Sequence, residues 1–313
     1  MLIIKKSLKN KDYTAQKITK HVIQHTVHNF QFIKGFPASN TWIVRSDNDA
    51  VLVDSGFGDE DSFLLLKKYI DTYLPKIKIH YILLTHNHSD HSSGSRKLAE
   101  YFNADVFIHP LEENMLRAPS KRESGPIEIR KRRRIWEKEK QLTPIKKYID
   151  EGKIIKAGKL VFQVIHTPGH TLGSNCYLLK NDKLLFSGDT ILGYDTVTIS
   201  APPDGDMSKY LESLKRLKRF NLNYIAPGHG PIINKPKDKI NKLILHRLNR
   251  EKQIYDLIMQ GHKTEYKLMK MIYPNIEKNL KNSAKNQLHA HLGRLEALNK
   301  IKLQIEKNKW KII

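Results

Sequence analysis

The segment IHYILLTHNHSDH, residues 79–91, carries the most specific chemical pattern in the chain. An apolar, strand-like run leads directly into a loop that places three histidines and one carboxylate within six residues, namely His86, His88, Asp90 and His91. Imidazole and carboxylate groups are the ligands that zinc and related divalent cations prefer. Spacings of one and two residues suit a loop at a strand end, whereas a helix-borne site would show spacings of three or four. The segment therefore predicts a metal site at the end of a strand.

Three further ligand-type residues follow later strand-like runs. They are His170 in HTPGHT, Asp189 in SGDT and His229 in APGHG. Each lies near a glycine, which allows the backbone to bend tightly and bring a side chain into a shared pocket. Taken singly, each has a plain interpretation as a turn or loop residue. Together with the first cluster they supply five histidines and two aspartates, which is enough for two metal ions.

Short strand-like and helical runs alternate over most of the chain and predict a layered α/β or α+β domain. After Pro236 the alternation of strand-like and helical runs gives way to helical runs. Residues 240–259, 264–272 and 283–298 are predicted helices, and the last twelve residues form a predicted hairpin, an order typical of a winged-helix module. We therefore predict a catalytic domain over residues 1–235 and a helical, winged-helix-like domain over 236–313. Residues 112–150 are interpreted as a polar, basic insertion without a clear core face.

In their order along the chain, these motifs resemble those of the metallo-β-lactamase superfamily of metal-dependent hydrolases. The matching motif residues run from Asp54 of VDSG to His229, and the resemblance covers roughly residues 25–235. It implies a four-layer αββα sandwich with the metals at the loop-bearing edge of two packed sheets. The fold class expected is therefore mixed α/β (α+β), with the winged-helix-like module at the C-terminus.

The resemblance also implies roles for the site residues. It assigns His86, His88 and His170 to the first metal, Asp90, His91 and His229 to the second, and Asp189 as a bridge between them. Asp54 would orient the metal-binding loop, and Asp90 could also hold or relay a proton, so both are candidate catalytic residues. The cofactors expected are two zinc ions, with Mn or Fe as alternatives. Two such ions deprotonate water near neutral pH, and the resulting hydroxide would attack a phosphorus or carbonyl centre.

The second half of the chain narrows the resemblance to the β-lactamase-like protein 2 family. The segments that carry it are residues 188–217, APGHGPII (226–233) and HRLNREKQI (246–254). Members of this branch include an endoribonuclease that acts on single-stranded RNA. This chain departs from the residues common in its relatives at Ser174 in PGHTLGS and at Ser93 in HSSG. The substrate therefore stays open between an RNA phosphodiester and a small ester, thioester or lactone.

Three alternative functions stay open. One is a glyoxalase II-like thioester hydrolase, which shares the metal motif but lacks the HRLNREKQI stretch. A second is an iron redox enzyme, although flavodiiron-type oxidoreductases carry Glu where this chain has His88, and a mononuclear-iron persulfide dioxygenase would need only one metal. The third is an inactive nucleic-acid-binding protein with the same fold, against which the full ligand set argues.

The charge is concentrated in two segments. Of the net charge of +23, residues 236–313 carry +11 and residues 121–147 carry +7. A concentrated basic surface is typical of a phosphate-backbone partner, although charge runs are also often solvated faces. The residues predicted to contact nucleic acid, by phosphate binding and base stacking, are Arg130, Lys131, Arg132, Arg133, Arg134 and Trp136.

Composition excludes other classes of protein. The single cysteine, Cys176, rules out a disulfide framework and a site built from clustered thiolates. No apolar run approaches the roughly 20 residues that a membrane helix needs, and the first residues lack the apolar core of a secretory signal. We therefore expect a cytoplasmic enzyme with no membrane partner.

Overall fold

The chain was analysed as a computed structural model, which describes residues 3–8, 11–28, 38–118, 127–194, 196–306 and 309–312. The chain divides into two compact units. The first comprises Met1–His166, Gly173–Asp195 and Leu222–Asn234. The second comprises Thr167–Leu172, Thr196–Asn221 and Lys235–Ile313.

Among the described residues of the first unit, eight strands form one sheet in the order of the sequence. They are β1 (Ile3–Leu8), β2 (Lys11–Lys17), β3 (Val22–Val27), β4 (Asn40–Ser46), β5 (Asp49–Val53), β6 (Lys78–Leu83), β7 (Asp105–Ile108) and β8 (Ile145–Tyr148). Pairing is antiparallel from β1 to β5 and parallel from β5 to β8. Residues 50–53 of β5 are all buried, because both faces of this strand are covered.

A second sheet in this unit contains five described strands in the order β13-β12-β11-β10-β9. Its strands are β9 (Ile154–Ala157), β10 (Leu160–His166), β11 (Asn175–Leu179), β12 (Leu184–Gly188) and β13 (Tyr224–Pro227). Buried side chains of both sheets share one core, in which the rings of Trp42 and Phe186 lie 5.9 Å apart. The inner faces of the two sheets therefore pack together, as the family resemblance implies.

The described part of the first unit also contains five α-helices. They are α1 (Glu60–Tyr73), α2 (Ser89–Ser92), α3 (Ser95–Phe102), α4 (Glu113–Arg117) and α5 (Ile127–Gln141). Buried residues of α1 and α3, such as Leu66 and Leu98, share a core with Leu52 and Ile82 of the sheet. Helices and two sheets thus give this unit the mixed α/β architecture expected.

The second unit is mainly helical in its described part. It contains α6 (Met207–Leu217), α7 (Pro236–Met259), α8 (Glu265–Ile272), α9 (Lys281–Ala297) and the antiparallel hairpin of β14 (Leu303–Glu306) and β15 (Lys309–Ile312). Helix α7 begins four residues earlier than predicted, because Pro236 occupies the first turn, where its missing N–H costs nothing. Leu268, Leu288 and Leu292 belong to the buried core of α7, α8 and α9. No helix of the described chain has the length and apolar character needed to cross a membrane.

The interpretation of residues 112–150 as lacking a core face is wrong for the part that is described. Ile129 and Trp136 lie seven residues apart on α5, which places them on one face, and each is only 1% exposed. Both pack with Phe57, whose ring centroid lies 4.3 Å from that of Trp136. The indole Nε1–H also donates to Asp59 Oδ2 at 3.1 Å. Residues 119–126 lie outside the described residues.

Replacing Trp136 with alanine is expected to lower the free energy of unfolding by about 3–5 kcal/mol, the usual cost of truncating a buried aromatic side chain. Urea denaturation of the two proteins measures the difference. Ile135→Ala is the matched control, because this neighbouring side chain is 46% exposed and its loss should change the stability by less than about 0.5 kcal/mol. Equal stability of the Trp136→Ala and Ile135→Ala proteins would contradict the packing described for α5.

Candidate metal centre

The predicted metal-binding loop begins where β6 ends. Since β5 and β6 are parallel, the residues that follow them, Asp54 and the 84–88 segment, meet at one edge of the sheet. Helix α2 starts directly after His88, and its first turn carries Asp90 and His91. The Ser92 hydroxyl donates to the Asn87 carbonyl at 2.9 Å and closes the loop onto the helix.

Asp54 organises this edge from beneath the loop. Its carboxylate is 1% exposed and accepts hydrogen bonds from the Thr85 backbone N–H (2.8 Å), the Thr85 hydroxyl (2.9 Å) and His91 Nδ1 (2.8 Å). Its backbone has φ +60°, which is uncommon for a residue other than glycine and persists where surrounding contacts hold it. Asp54 therefore contacts the loop at Thr85 and the first turn of α2 at His91.

Hydrogen bonds fix the tautomers of three imidazoles. The Asp54 carboxylate and the Ala38 carbonyl can only accept, so Nδ1 of His91 and Nδ1 of His229 donate to them. The Thr85 hydroxyl donates to Asp54, so it accepts from His86 Nδ1 at 3.0 Å. In each neutral ring the lone pair is then on Nε2, the usual arrangement of a metal-ligating histidine.

One group of candidate ligands in the first unit contains His86, His88 and Asp189. Each of these side chains offers one potential ligand atom, an imidazole nitrogen or a carboxylate oxygen, and these atoms lie within 4.8 Å of one another. His86 Nε2 lies 2.9 Å from His88 Nδ1, so the two rings present different nitrogens to the same space. Asp189 follows β12, whose last residue is Gly188.

A second group contains Asp90, His91 and His229. Nε2 of His91 and Nε2 of His229 lie 3.2 Å apart. Asp90 Oδ2 is 3.1 Å from His229 Nε2 and 3.5 Å from His91 Nε2. Asp189 Oδ1 also lies 3.4 Å and 3.5 Å from Nε2 of His91 and of His229, respectively, so this carboxylate adjoins both groups.

The second group needs positive charge. His91 and His229 donate their Nδ1 hydrogens to Asp54 and to the Ala38 carbonyl. If both rings were neutral, their Nε2 lone pairs would therefore face each other and the carboxylates of Asp90 and Asp189. Only additional protons or a metal ion can stabilise such a set of atoms. The donor set of two imidazoles and carboxylate oxygens is the one that zinc and similar ions prefer. The residues present therefore fit a divalent cation.

Burial and neighbouring charges shift the pKa values of Asp90, His91 and His229. Burial lowers the pKa of His91, but the carboxylates of Asp90, Asp189 and Asp54 outweigh it and raise that pKa to about 10. Burial likewise lowers the pKa of His229, and Asp189 and Asp90 raise it above its ordinary value. For Asp90, burial raises the pKa, and the imidazoles of His91 and His229 hold it well below its usual range.

His170 lies in the second unit, on the segment Thr167–Leu172. Its Nδ1 is 3.0 Å from the carbonyl oxygen of Thr198. Because a carbonyl only accepts, Nδ1 carries the hydrogen and Nε2 carries the lone pair in the neutral ring, as for His86, His91 and His229. The structure thus prepares all four of these histidines in the same tautomer.

Glu112 is a site residue that sequence reasoning missed. It is 1% exposed, and its Oε2 accepts from the backbone N–H of Asn87 at 2.8 Å and from the Asn87 side-chain amide. Its Oε1 accepts from the Gly173 N–H at 2.7 Å. This carboxylate therefore fixes the peptide between His86 and His88. The sequence offered no signal for it, since Glu112 lies 25 residues after Asn87 in the segment interpreted as an insertion.

A third cluster, His109, Asp150 and His166, also brings potential ligand atoms within 4.8 Å of one another. His109 Nδ1 accepts from the backbone N–H of Leu111 at 3.1 Å, so its hydrogen is on Nε2, which donates to Asp150 Oδ1 at 3.0 Å. The ring of His166 stacks on it at 4.2 Å. With Nδ1 accepting, neutral His109 has no lone pair on Nε2 for a metal. His109 and Asp150 form a hydrogen-bonded pair instead.

The residues predicted to bind nucleic acid divide by exposure. Arg130, Lys131 and Arg134 are exposed, whereas Arg132 and Arg133 are half-buried. The prediction that Trp136 offers a stacking surface is wrong, because its indole is enclosed in the core of α5. Helix α5 therefore presents exposed cations without an aromatic platform from Trp136.

Gly228 leaves no room for a side chain beside the second group. A Cβ at this position would lie 2.5 Å from Asp189 Oδ1 and 2.6 Å from His91 Cε1. We expect Gly228→Ala to displace these side chains and to lower activity at least about 100-fold, since misplacing a reacting group by about 1 Å costs that much. Gly152→Ala is the control, because a Cβ there meets nothing within 4 Å, although its φ of +75° costs some stability. Metal content and turnover, measured on both variants, test this expectation; equal turnover would contradict it.

Comparison with known proteins agrees with this geometry. The sequence profile of the metallo-beta-lactamase superfamily matches residues 35–229, and that of the beta-lactamase associated winged helix domain matches residues 264–310. A relative named beta-lactamase-like protein 2 homolog, from Drosophila melanogaster, is 30% identical over 269 residues, which span 85% of this chain and 84% of the relative. An atrochrysone carboxyl ACP thioesterase from Aspergillus fumigatus is 26% identical over 222 residues, 69% of this chain and 58% of the relative.

Solved structures share the fold. A metallo-beta-lactamase family protein from Thermus thermophilus superposes with a TM-score of 0.72 at 19% identity, covering 98% of this chain and 99% of that one. A beta-lactamase domain protein from Burkholderia ambifaria gives a TM-score of 0.77 at 17% identity, covering 96% and 94%. The resemblance drawn from the sequence is confirmed, as is the C-terminal winged helix. This chain belongs to the metallo-beta-lactamase superfamily.

Proposed function

We propose that this protein is a two-metal hydrolase with zinc as its ion. His86, His88 and His170 would hold the first ion, Asp90, His91 and His229 the second, and Asp189 would bridge them. The observation that carries the proposal is the position of Asp189, which belongs to the first group of ligand atoms and lies within 3.5 Å of both imidazoles of the second. A bridging carboxylate is typical of a pair of ions rather than of a single one.

Bound ions of this kind act as Lewis acids and lower the pKa of water towards about 7. The protein contributes orientation. Asp54 and Thr85 hold the rings of His91 and His86, and Glu112 fixes the loop between His86 and His88. Preorganised ligands of this type let a site act without rearranging during the reaction.

For the substrate, we propose a thioester or related small ester. Support comes from the relatives named atrochrysone carboxyl ACP thioesterases. A second candidate is single-stranded RNA, which the exposed Arg130, Lys131 and Arg134 on α5 favour. Burial of Trp136 removes the stacking contact that would strengthen this second proposal.

A hydrolysis panel tests both substrates. The full chain, loaded with zinc, is given a glutathione thioester, a lactone and a fluorescent single-stranded RNA, each with and without a chelator. We expect chelator-sensitive turnover of an acyl substrate that depends little on salt. Cleavage of RNA should instead weaken steeply as salt rises, because phosphate contacts release counterions.

The outcomes separate the hypotheses. RNA cleavage without acyl turnover would replace the first substrate by the second. Chelator-insensitive turnover of every substrate would contradict the two-metal proposal. A protein that binds no zinc and cleaves none of the three would support the inactive, nucleic-acid-binding alternative.

A further inference from the structure

A three-residue segment of the second unit is held by two buried side chains from different helices. Arg247 of α7 donates from Nη2 to the carbonyl of Val197. Gln287 of α9 accepts at Oε1 from the backbone N–H of Ile199, at 3.1 Å. Arg247 is 2% and Gln287 8% exposed, so water does not compete for these hydrogen bonds.

The residue between these two contacts is Thr198, whose carbonyl accepts from His170 Nδ1 at 3.0 Å. Gln287 binds the Ile199 N–H, which belongs to the same peptide group as this carbonyl, and Arg247 binds the carbonyl of the preceding peptide group. The direction of the Thr198 carbonyl is therefore set by α7 and α9. The carbonyl in turn sets the tautomer and the ring orientation of His170. Two helices remote in sequence thus act on one imidazole through a single peptide group.

The backbone of His170 is fixed from the same unit. The Ser213 hydroxyl of α6 donates to the Pro168 carbonyl at 2.8 Å. Gly169 has φ +147°, and a Cβ there would lie 2.4 Å from Cα of Tyr210, so this loop lies directly on α6. The Arg247 guanidinium lies 5.4 Å from the centre of the Tyr210 ring, which joins the two supports.

We propose that Arg247 and Gln287 are positioning residues that set the affinity of the first metal ion by orienting His170 through the Thr198 carbonyl. The proposal rests on the proposed ligand role of His170. It also gives a function to Arg247 within the HRLNREKQI stretch, which carried the family resemblance without a stated role. The helices of the C-terminal region would then be part of the metal chemistry.

Gln287→Leu tests the proposal, since leucine occupies a similar volume but cannot accept from the Ile199 N–H. Zinc affinity of the full chain is measured by competition with a chromophoric chelator. Removing partners that orient a ligand commonly costs about 10–100-fold in metal affinity, and for this more distant contact we expect about tenfold weaker binding of one ion. Leu292→Ala, a buried residue of the same helix outside these contacts, controls for a general loss of stability.

The same substitution in a His170→Ala background gives the decisive comparison. If Gln287 acts through His170, then Gln287→Leu should change zinc affinity only when His170 is present. The ¹⁵N chemical shifts of the His170 ring supply a second measurement, because loss of the fixed tautomer moves Nδ1 and Nε2 towards an averaged value. Arg247→Lys, which keeps the charge but loses the planar donor group, is the second variant should Gln287→Leu not fold.

Unchanged zinc affinity and ring shifts in a folded variant would overturn the proposal, as would an equal loss of affinity in the His170→Ala background. These results differ from failure of the two-metal function. In that case the wild-type chain itself would bind fewer than two ions or show no chelator-sensitive turnover.

Discussion

Asp189→Ala is expected to abolish hydrolysis and leave the protein folded. Its Oδ1 lies 3.4 Å from His91 Nε2 and 3.5 Å from His229 Nε2, and its carboxylate also belongs to the group of His86 and His88. Without it, the two ligand groups lose the oxygen that they share. Metal ions lower the pKa of water by about eight units, so disruption of the pair should cost at least about 10³-fold in turnover.

Turnover, zinc content and circular dichroism of the variant measure this effect. Asp189→Asn keeps the shape of the side chain but not its charge, and we expect it to lose activity as well. Asp256→Ala serves as the control, because this exposed aspartate forms an i,i+4 pair with Lys252, which contributes little to stability. An Asp189→Ala protein with full activity would remove the bridging role.

Removal of the metals is expected to inactivate the protein and lower its stability. A ligand that binds only the folded state stabilises it by about 4 kcal/mol at a concentration about 1,000 times its Kd. Without the metal, only protons on His91 and His229 offset the negative charge of Asp90 and Asp189. We therefore expect a clear fall in Tm after dialysis against chelator, with recovery of Tm and turnover on addition of zinc.

Recovery with manganese or iron, compared at equal concentration, would identify the preferred ion. The matched control is His86→Ala, for which chelator should change Tm by less, because one ion has already lost a ligand. A wild-type protein whose Tm and activity are the same before and after complete metal removal would contradict the two-metal proposal.

The sequence predicted the part of the site that local spacing encodes. His86, His88, Asp90 and His91 share one loop, and the glycine-flanked Asp189 and His229 lie at the ends of later strands, so their residue types and positions were enough to indicate a metal site. Parallel pairing of β5 with β6 then explains why Asp54 meets this loop.

The supports of the site could not be predicted, because they depend on contacts between residues far apart in the chain. Glu112 contacts Asn87, and Gln287 holds the peptide that faces His170. Neither residue lies in a recognisable motif. Trp136 was misinterpreted for a related reason. Its basic neighbours suggest a solvated face, and only packing against Phe57 shows that one side of α5 is buried.

The second unit is assembled from three separate stretches of the chain, two of which interrupt the first unit. Helix α6 belongs to the middle stretch and packs with α7 and α9 of the last one. A gene fragment that ends at residue 235 would therefore encode α6 without its partners. Recombination between relatives at that junction should yield poorly soluble products. A chimaera that takes all three stretches of the second unit from one relative should preserve both units.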